Sequence, residues 1–139
     1  MREKLSVEDS LAYLHQHEGR VEYYPEFLSP IEAEHYKQGL LTSVEFNSEE
    51  ESKVRQPFSR DKIAIPRRQT AYGDVGTFYK FTGCVVPARP WIPLLSTLRE
   101  LLSERTGFAP NFVLINYYRD GHDCIGWHAD DEGDLGDGA

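Results

Sequence analysis

The chain has 139 residues, 40% of them hydrophobic and 12% aromatic, with 15 Lys plus Arg against 23 Asp plus Glu and a formal net charge of -8. This length suits one domain over residues 1–139 that can bury a core, and the aromatic content excludes a disordered or collagen-like chain. Glu3, Glu8 and Asp9 stand where a signal peptide needs an apolar stretch, and no later run approaches about 20 apolar residues. A soluble, non-secreted, monomeric protein of the nucleus or cytoplasm is therefore expected. Cys84 and Cys124 are far from CxxC spacing, so neither a disulfide framework nor a zinc site is expected.

Residues 6–15 carry Val7, Leu11 and Leu14 on one stripe and predict a short helix. Ser29-Pro30-Ile31-Glu32 combines an N-cap, Pro at the first helical position and Glu three residues after the cap, so a second helix starts there and runs through Ala33, Tyr36 and Leu40. Residues 69–86, rich in Tyr, Phe, Thr and Val, predict short strands broken by turns at Tyr72-Gly73-Asp74 and Thr82-Gly83. Pro93 opens a third helix whose leucines, at 94, 95, 98, 101 and 102, are expected to pack on a sheet, with Gly107 as its stop. From Phe112 to Tyr118 a run of strand formers ends at the turn signal Arg119-Asp120-Gly121. The next extended run, residues 124–128, is expected to fold back on it as a hairpin. After His128 the composition falls into Asp, Glu and Gly.

The overall charge conceals a pattern. Residues 1–52 hold 4 basic and 12 acidic residues, residues 53–89 hold 8 and 2, and residues 90–139 hold 3 and 9. The middle segment is a basic island in which Lys53, Arg55, Arg60, Lys62, Arg67 and Arg68 face one acid, Asp61, with Phe58 among them. A cluster of this kind with an interleaved aromatic is the footprint of a nucleic-acid contact.

Strand alternation points Asn116 and Tyr118 one way, and His128 and Asp130 together if the chain stays extended that far. His-x-Asp is two thirds of the facial triad that holds non-haem Fe(II); alone it is equally a surface turn with a solvated acid. Asn116 inside an apolar strand needs partners for its amide. Tyr79 and Phe81 share a strand face and would also serve as core. Phe58 would equally be an ordinary partly buried aromatic, and Asp131 and Glu132 a solvated turn. His122 and Cys124 are read as structural. The acidic tail is not an EF-hand, since His128 and Ala139 occupy positions that need carboxylates, and neither a nucleophile elbow nor a Walker loop is present.

Four ordered blocks resemble the AlkB family of Fe(II)/2-oxoglutarate dioxygenases, in particular the members that repair duplex DNA. They are Pro66-Arg67-Arg68-Gln69-Thr70-Ala71-Tyr72-Gly73-Asp74, Tyr79-Lys80-Phe81-Thr82-Gly83, Pro90-Trp91-Ile92-Pro93, and the stretch from Asn111 through Gly121 into Ile125-Gly126-Trp127-His128-Ala129-Asp130-Asp131-Glu132. The resemblance implies an α+β protein with N-terminal helices and a double-stranded β-helix, or jelly-roll. It makes His128 and Asp130 iron ligands and Asn116 and Tyr118 contacts to 2-oxoglutarate, with O2 as the other co-substrate. Tyr79, Phe81 and Thr82 would line a pocket for a flipped alkylated base, Asp131 and Glu132 would address its positive charge, and Phe58 would be a finger pushed into the duplex. Arg60 and Arg67, in the basic segment 53–89, would contact the nucleic acid.

The activity this implies is oxidative demethylation of N-methylated adenine or cytosine in DNA, releasing formaldehyde. The alternatives are a non-catalytic lesion-binding module, or the same chemistry on RNA or single strands. The family's second His ligand and its carboxylate-binding Arg residues fall beyond Ala139, so the expectation is a C-terminally truncated chain carrying only the N-terminal part of the jelly-roll.

Overall fold

A computed structural model describes residues 23–55, 61–81 and 84–128; the helix expected over residues 6–15 lies outside the described residues. The chain divides into two compact units, Met1–Lys37 and Gln38–Ala139. Helix α1 (Pro30–Ser43) begins on the capping box that the sequence predicts. The Glu32 N–H donates to Ser29 Oγ at 3.3 Å and the Ser29 N–H donates to Glu32 Oε2 at 2.8 Å, so two N–H groups without helical partners are satisfied reciprocally. A second Ser-x-x-Glu box, not foreseen from the sequence, closes the turn before the first strand. There Ser48 N–H and Oγ–H both donate to Glu51 Oε2, which holds that carboxyl below its ordinary range.

Among the described residues seven strands follow, in three small sheets. Strands β1 (Lys53–Arg55) and β2 (Lys62–Ala64) pair antiparallel, with Arg55 directly opposite Lys62 at the rung nearest the connecting loop. Strand β3 (Arg68–Gly73) is the centre of the fold and its residues from Gln69 onward are all buried. Strands β4 (Phe78–Phe81) and β5 (Cys84–Pro87) form an antiparallel hairpin. The short β6 (Arg89–Pro90) lies parallel to β3 on one edge, and β7 (Phe112–Tyr117) lies antiparallel on the other, giving the order β6-β3-β7. The core sits where Ala71 of β3 and Val86 of β5 meet, with Val54, Tyr79, Phe112 and Leu114 packed against them. Small and β-branched residues in β3 are what allow neighbours on both of its faces.

Helix α2 (Pro93–Thr106) has no side-chain cap: Ile92 is extended and Pro93 has its φ preset for the first turn. Its stop is the expected Gly107, at φ 73°, whose N–H donates to the Ser103 carbonyl at 2.9 Å. Leu95 is the buried leucine. The expected leucine-on-sheet packing takes a different form at Leu94, whose methyls lie against Gly39 of α1; a Cβ there would stand 2.8 Å from Leu94 Cδ2. Asp74, in the turn after β3, holds α2 in place. Its Oδ1 accepts from Trp91 Nε1 at 2.8 Å and from Arg99 Nη1 at 3.3 Å, and the Arg99 guanidinium lies 5.0 Å over the Trp91 ring.

The hairpin expected between residues 112–118 and 124–128 does not form. β7 spends its ladder on β3 along its whole length, from Gly73↔Phe112 to Arg68↔Tyr117. The intervening turn is closed by side chains. Arg119 donates from its N–H, Nε and Nη2 to the Asp123 carboxylate at 2.9, 2.7 and 2.8 Å, and the His122 N–H donates to Asp120 Oδ1 at 2.8 Å. The segment that follows turns to Pro66, whose carbonyl takes the Cys124 N–H at 2.9 Å. Strand-forming composition announced an extended chain but could not name its partner.

Two expectations follow from this packing. A Cβ on Gly73 would lie 2.8 Å from the Asn111 carbonyl and 2.6 Å from Thr77 Oγ1, with Ala88 also close, so backbone must move to admit it. Gly73→Ala should therefore destabilise the fold by about 1–3 kcal/mol, read as a lower urea midpoint at unchanged slope. The Arg119 side chain, and then its N–H, hold the Asp123 carboxyl at about 2 against its ordinary 3.8. A carboxyl depressed on folding adds stability above its unfolded value and loses that contribution as pH falls through the folded one. The urea midpoint of the wild type should converge on that of Asp123→Asn as pH drops from about 5 to about 2; a gap that stayed constant across the window would contradict the clip.

Candidate functional site

On β3 and β7 the face that holds Ala71 and Leu114 at its middle continues, two residues along each strand, to Gln69 and Asn116. These two are directly opposed in the register. The apolar face thus ends in a pair of amides. Gln69 Nε2 donates to Asn116 Oδ1 at 2.9 Å, and so does Arg67 Nε at 2.9 Å. Gln69 is 2% exposed and Arg67 is 9% exposed, and the Asn116 amide, itself only partly buried, has the partners anticipated for it; they come from the strand opposite and the residue ahead of it.

Arg67 does more than hold the amide. Its Nη1 donates to the Cys124 carbonyl at 3.4 Å, beside the bond from Cys124 N–H to the Pro66 carbonyl. Residues 66 and 67 therefore grip residue 124 by both backbone groups, four residues ahead of His128. His128 itself is exposed, and its Nδ1 lies 2.8 Å from the Gly126 carbonyl. A carbonyl can only accept, so Nδ1 is the donor in this bond and Nε2 is the ring nitrogen left to act as a ligand. A backbone carbonyl bonded to the far nitrogen in this way is what orients a metal-ligating imidazole. Among the described residues no three His, Cys, Asp or Glu side chains converge as a metal cluster.

The other predicted site residues fall as follows. Tyr118 stands one residue past the end of β7 and is exposed at 41%, so alternation no longer fixes its direction relative to Asn116. Tyr79 is half-buried against the Ala71–Val86 core, on the β4–β5 hairpin, and Phe81 ends β4. Phe58, Arg60, Thr82, Asp130, Asp131 and Glu132 lie outside the described residues. Gln69 is a site residue that sequence reasoning misses. The available signal was an amide two residues from Arg67 on a strand whose next inward position is Ala71.

The basic segment resolves into cations with different surroundings. Lys53 pairs with Glu50 at 2.6 Å, Arg89 with Glu45 at 3.1 Å, and Arg68 lies 5.0 Å over the Phe46 ring. Arg67 is directed at Asn116 and Cys124, whereas Lys62 and Lys80 are exposed. No helix among the described residues is long and apolar enough to cross a membrane.

The donor chemistry fits Fe(II) and an oxoacid at two points: His128 is an imidazole whose Nδ1 is held by a backbone carbonyl, and Asn116, with Oδ1 engaged twice, offers Nδ2–H. Comparison with known proteins agrees. The family model described as the 2OG-Fe(II) oxygenase superfamily matches residues 20–138. The chain is 49% identical over 76 residues to DNA oxidative demethylase ALKBH2 from Homo sapiens, covering 55% of this chain and 29% of that protein. The Mus musculus protein of the same name is 46% identical over 76 residues, covering 55% and 32%. Alpha-ketoglutarate-dependent dioxygenase alkB homolog 3 from Rattus norvegicus is 36% identical over 120 residues, covering 84% of this chain and 38% of its own length. The chain thus spans about a third of the length of these relatives. A sequence matched by that family model from residue 20 to residue 138, carrying an amide fixed on β7 and an imidazole oriented by its own backbone, identifies the chain as a member of the 2OG-Fe(II) oxygenase superfamily and, within it, of the AlkB family, whose cofactors are Fe(II), 2-oxoglutarate and O2.

Proposed function

We propose that the protein takes part in Fe(II)/2-oxoglutarate-dependent oxidative demethylation of N-methylated adenine or cytosine in DNA, with formaldehyde as the released carbon. The observation that carries this reading is the fixed Asn116 amide on the strand that leads, through the Arg67 grip on residue 124, towards His128. An N-methyl group has no leaving-group route, and iron with O2 and an oxoacid supplies oxidation of an inert C–H bond. The protein's own groups bind and orient. His128 Nε2 and Asp130 hold the metal, and Asn116 Nδ2–H donates to an oxoacid carboxylate, with Tyr118 as a second contact. Superfamily membership supports a double-stranded β-helix around this site, and we read the protein as a single-domain monomer of the nucleus or cytoplasm.

Recognition of the base is read from the hairpins. Tyr79 and Phe81 belong to β4 and Thr82 follows it in the sequence; in this reading they line the pocket for an extruded base, where stacking contributes roughly 1–3 kcal/mol per base. Asp131 and Glu132, following the ligand pair, would favour an alkylated, positively charged base over a neutral one. The β1–β2 hairpin has Arg55 opposite Lys62 next to the loop that carries Phe58 and Arg60. Two cations paired in register, with Phe58 three residues after Arg55 in the sequence, suit a hairpin that approaches phosphates and wedges the stack. Arg67 has both of its described contacts inside the protein, so its part in recognition is carried through the site rather than through a surface phosphate.

Two experiments test this reading. Mixing the full chain with Fe(II) and 2-oxoglutarate without oxygen should give the visible charge-transfer band of the ternary complex, and His128→Ala should abolish both the band and formaldehyde release from N-methylated duplex. Absence of the band in the wild type would sink catalysis by this chain. Binding to methylated duplex should weaken in Phe58→Ala and in Arg60→Ala, and the latter should lower the slope of log K against log salt by about 0.9 for each phosphate that Arg60 neutralises. Unchanged binding in both would remove the duplex reading, and a preference for matched single strands or RNA would redirect it. Tight lesion binding with no formaldehyde at any loading would instead fit a lesion-binding module.

A further inference from the structure

The end of the β3–β7 ladder contains a buried side chain to which the reading above gives no task. Gln69 is 2% exposed and uses its Nε2 to donate to Asn116 Oδ1 at 2.9 Å. Burying a primary amide costs free energy, and an apolar residue on an inward position of a central strand would avoid that cost. We propose that Gln69 is a positioning residue for the oxoacid site: together with Arg67 it locks the Asn116 carboxamide in the one flip state that presents Nδ2–H, and not Oδ1, to a carboxylate.

The geometry carries this without an arbitrary choice of amide orientation. Two flip states of an Asn are nearly isosteric and are told apart only by their partners. Arg67 settles the first partner, because a guanidinium has donors and no acceptor; the atom 2.9 Å from its Nε must be Oδ1. Gln69 reaches the same oxygen and must donate as well. Flipping Asn116 would set its NH2 against the Arg67 guanidinium, which has no acceptor to offer, and against the Gln69 NH2 as that amide now stands, breaking two part-buried hydrogen bonds and opposing like dipoles. The amide nitrogen is thus committed to the side away from the lock. A carboxylate of 2-oxoglutarate needs a donor there, and Oδ1 in its place would repel it. The direct register opposition of Gln69 and Asn116 supplies the short reach, and the short spacing to Arg67 lets both donors converge on one oxygen.

This inference rests on the reading of Asn116 as an oxoacid contact, and the test separates the two. The measurements are thermal unfolding of the metal-free chain and calorimetric binding of 2-oxoglutarate to the full chain loaded with Mn(II). Asn116→Asp keeps an acceptor for both lock donors and removes the outward N–H. It should leave the unfolding temperature unchanged or raised and weaken 2-oxoglutarate by about tenfold or more. Gln69→Leu should weaken 2-oxoglutarate about three- to tenfold through partial flipping of the amide, and that loss should vanish in an Asn116→Ala background. Gln69→Glu, a same-size acceptor, should weaken binding more than Gln69→Leu, because it favours the wrong flip state. Equal losses from Gln69→Leu with and without Asn116 would overturn the lock while leaving the oxoacid reading in place. Wild-type affinity in Asn116→Asp would overturn that reading and the lock with it. Should Gln69→Leu fail to fold, the order of Gln69→Glu and wild type decides: equal affinity overturns the lock.

Discussion

The antiparallel register between β3 and β7 is the constraint from which the rest of the described structure follows. It sets Ala71 against Leu114, which fills the core, and in the same stroke sets Gln69 against Asn116, which ends that core in amides. A shift by one residue would turn the whole polar set to the opposite face and bury Arg68 and Tyr117 in its place. The register is pinned at its far end by Gly73, where the Asn111 carbonyl, Thr77 and Ala88 crowd a position that admits a Cβ only if the backbone shifts. A glycine at one end of the ladder thus governs the alignment of a hydrogen-bonding trio at the other.

The same ladder explains how the basic segment divides. The strand that must be buried on both faces carries Arg68 at its start and follows directly on Arg67, so one cation is drawn over the Phe46 ring and the other inward to Asn116 and Cys124. Exposed cations stand on the hairpin strands β2 and β4, at Lys62 and Lys80, and on the central strand only at its first residue, Arg68. Charge counted along the sequence measures only the number of cations. Their division between structure and partner is decided by which strands have two covered faces.

The parts of this organisation visible in the sequence are those written in local chemistry. Ser29-Pro30-Ile31-Glu32 marks the start of α1 because capping is settled within four residues, and Pro93 and Gly107 bound α2 for the same reason. The Phe112–Tyr117 strand, the turn after it and the need of Asn116 for partners are also legible. Pairing is not. Residues 124–128 have strand-like composition, yet their backbone bond goes to Pro66, a partner far back in the chain that no local pattern encodes. Arg67 reads as one more surface cation because its burial depends on the distant Asn116 and Cys124. Gln69, an amide between Arg68 and Thr70, reads as an ordinary exposed strand residue until the register sets it against another amide.

Arg67 binds these levels together. Its described contacts are neutral acceptors, the Asn116 oxygen and the Cys124 carbonyl, and a buried guanidinium held this way contributes little net stability compared with an apolar residue of similar volume. What it contributes is geometry. The planar guanidinium fixes two donors at one angle, so the strand that bears Asn116 and the backbone that runs on to His128 are aligned by a single rigid group. Gln69 then removes the remaining freedom of the amide. Neither residue needs to touch metal or substrate for this, and neither could be found by searching for ligands. A site of this construction is specified by the residues behind its contacts, and in this fold those residues are supplied by the central strand and the residue just before it.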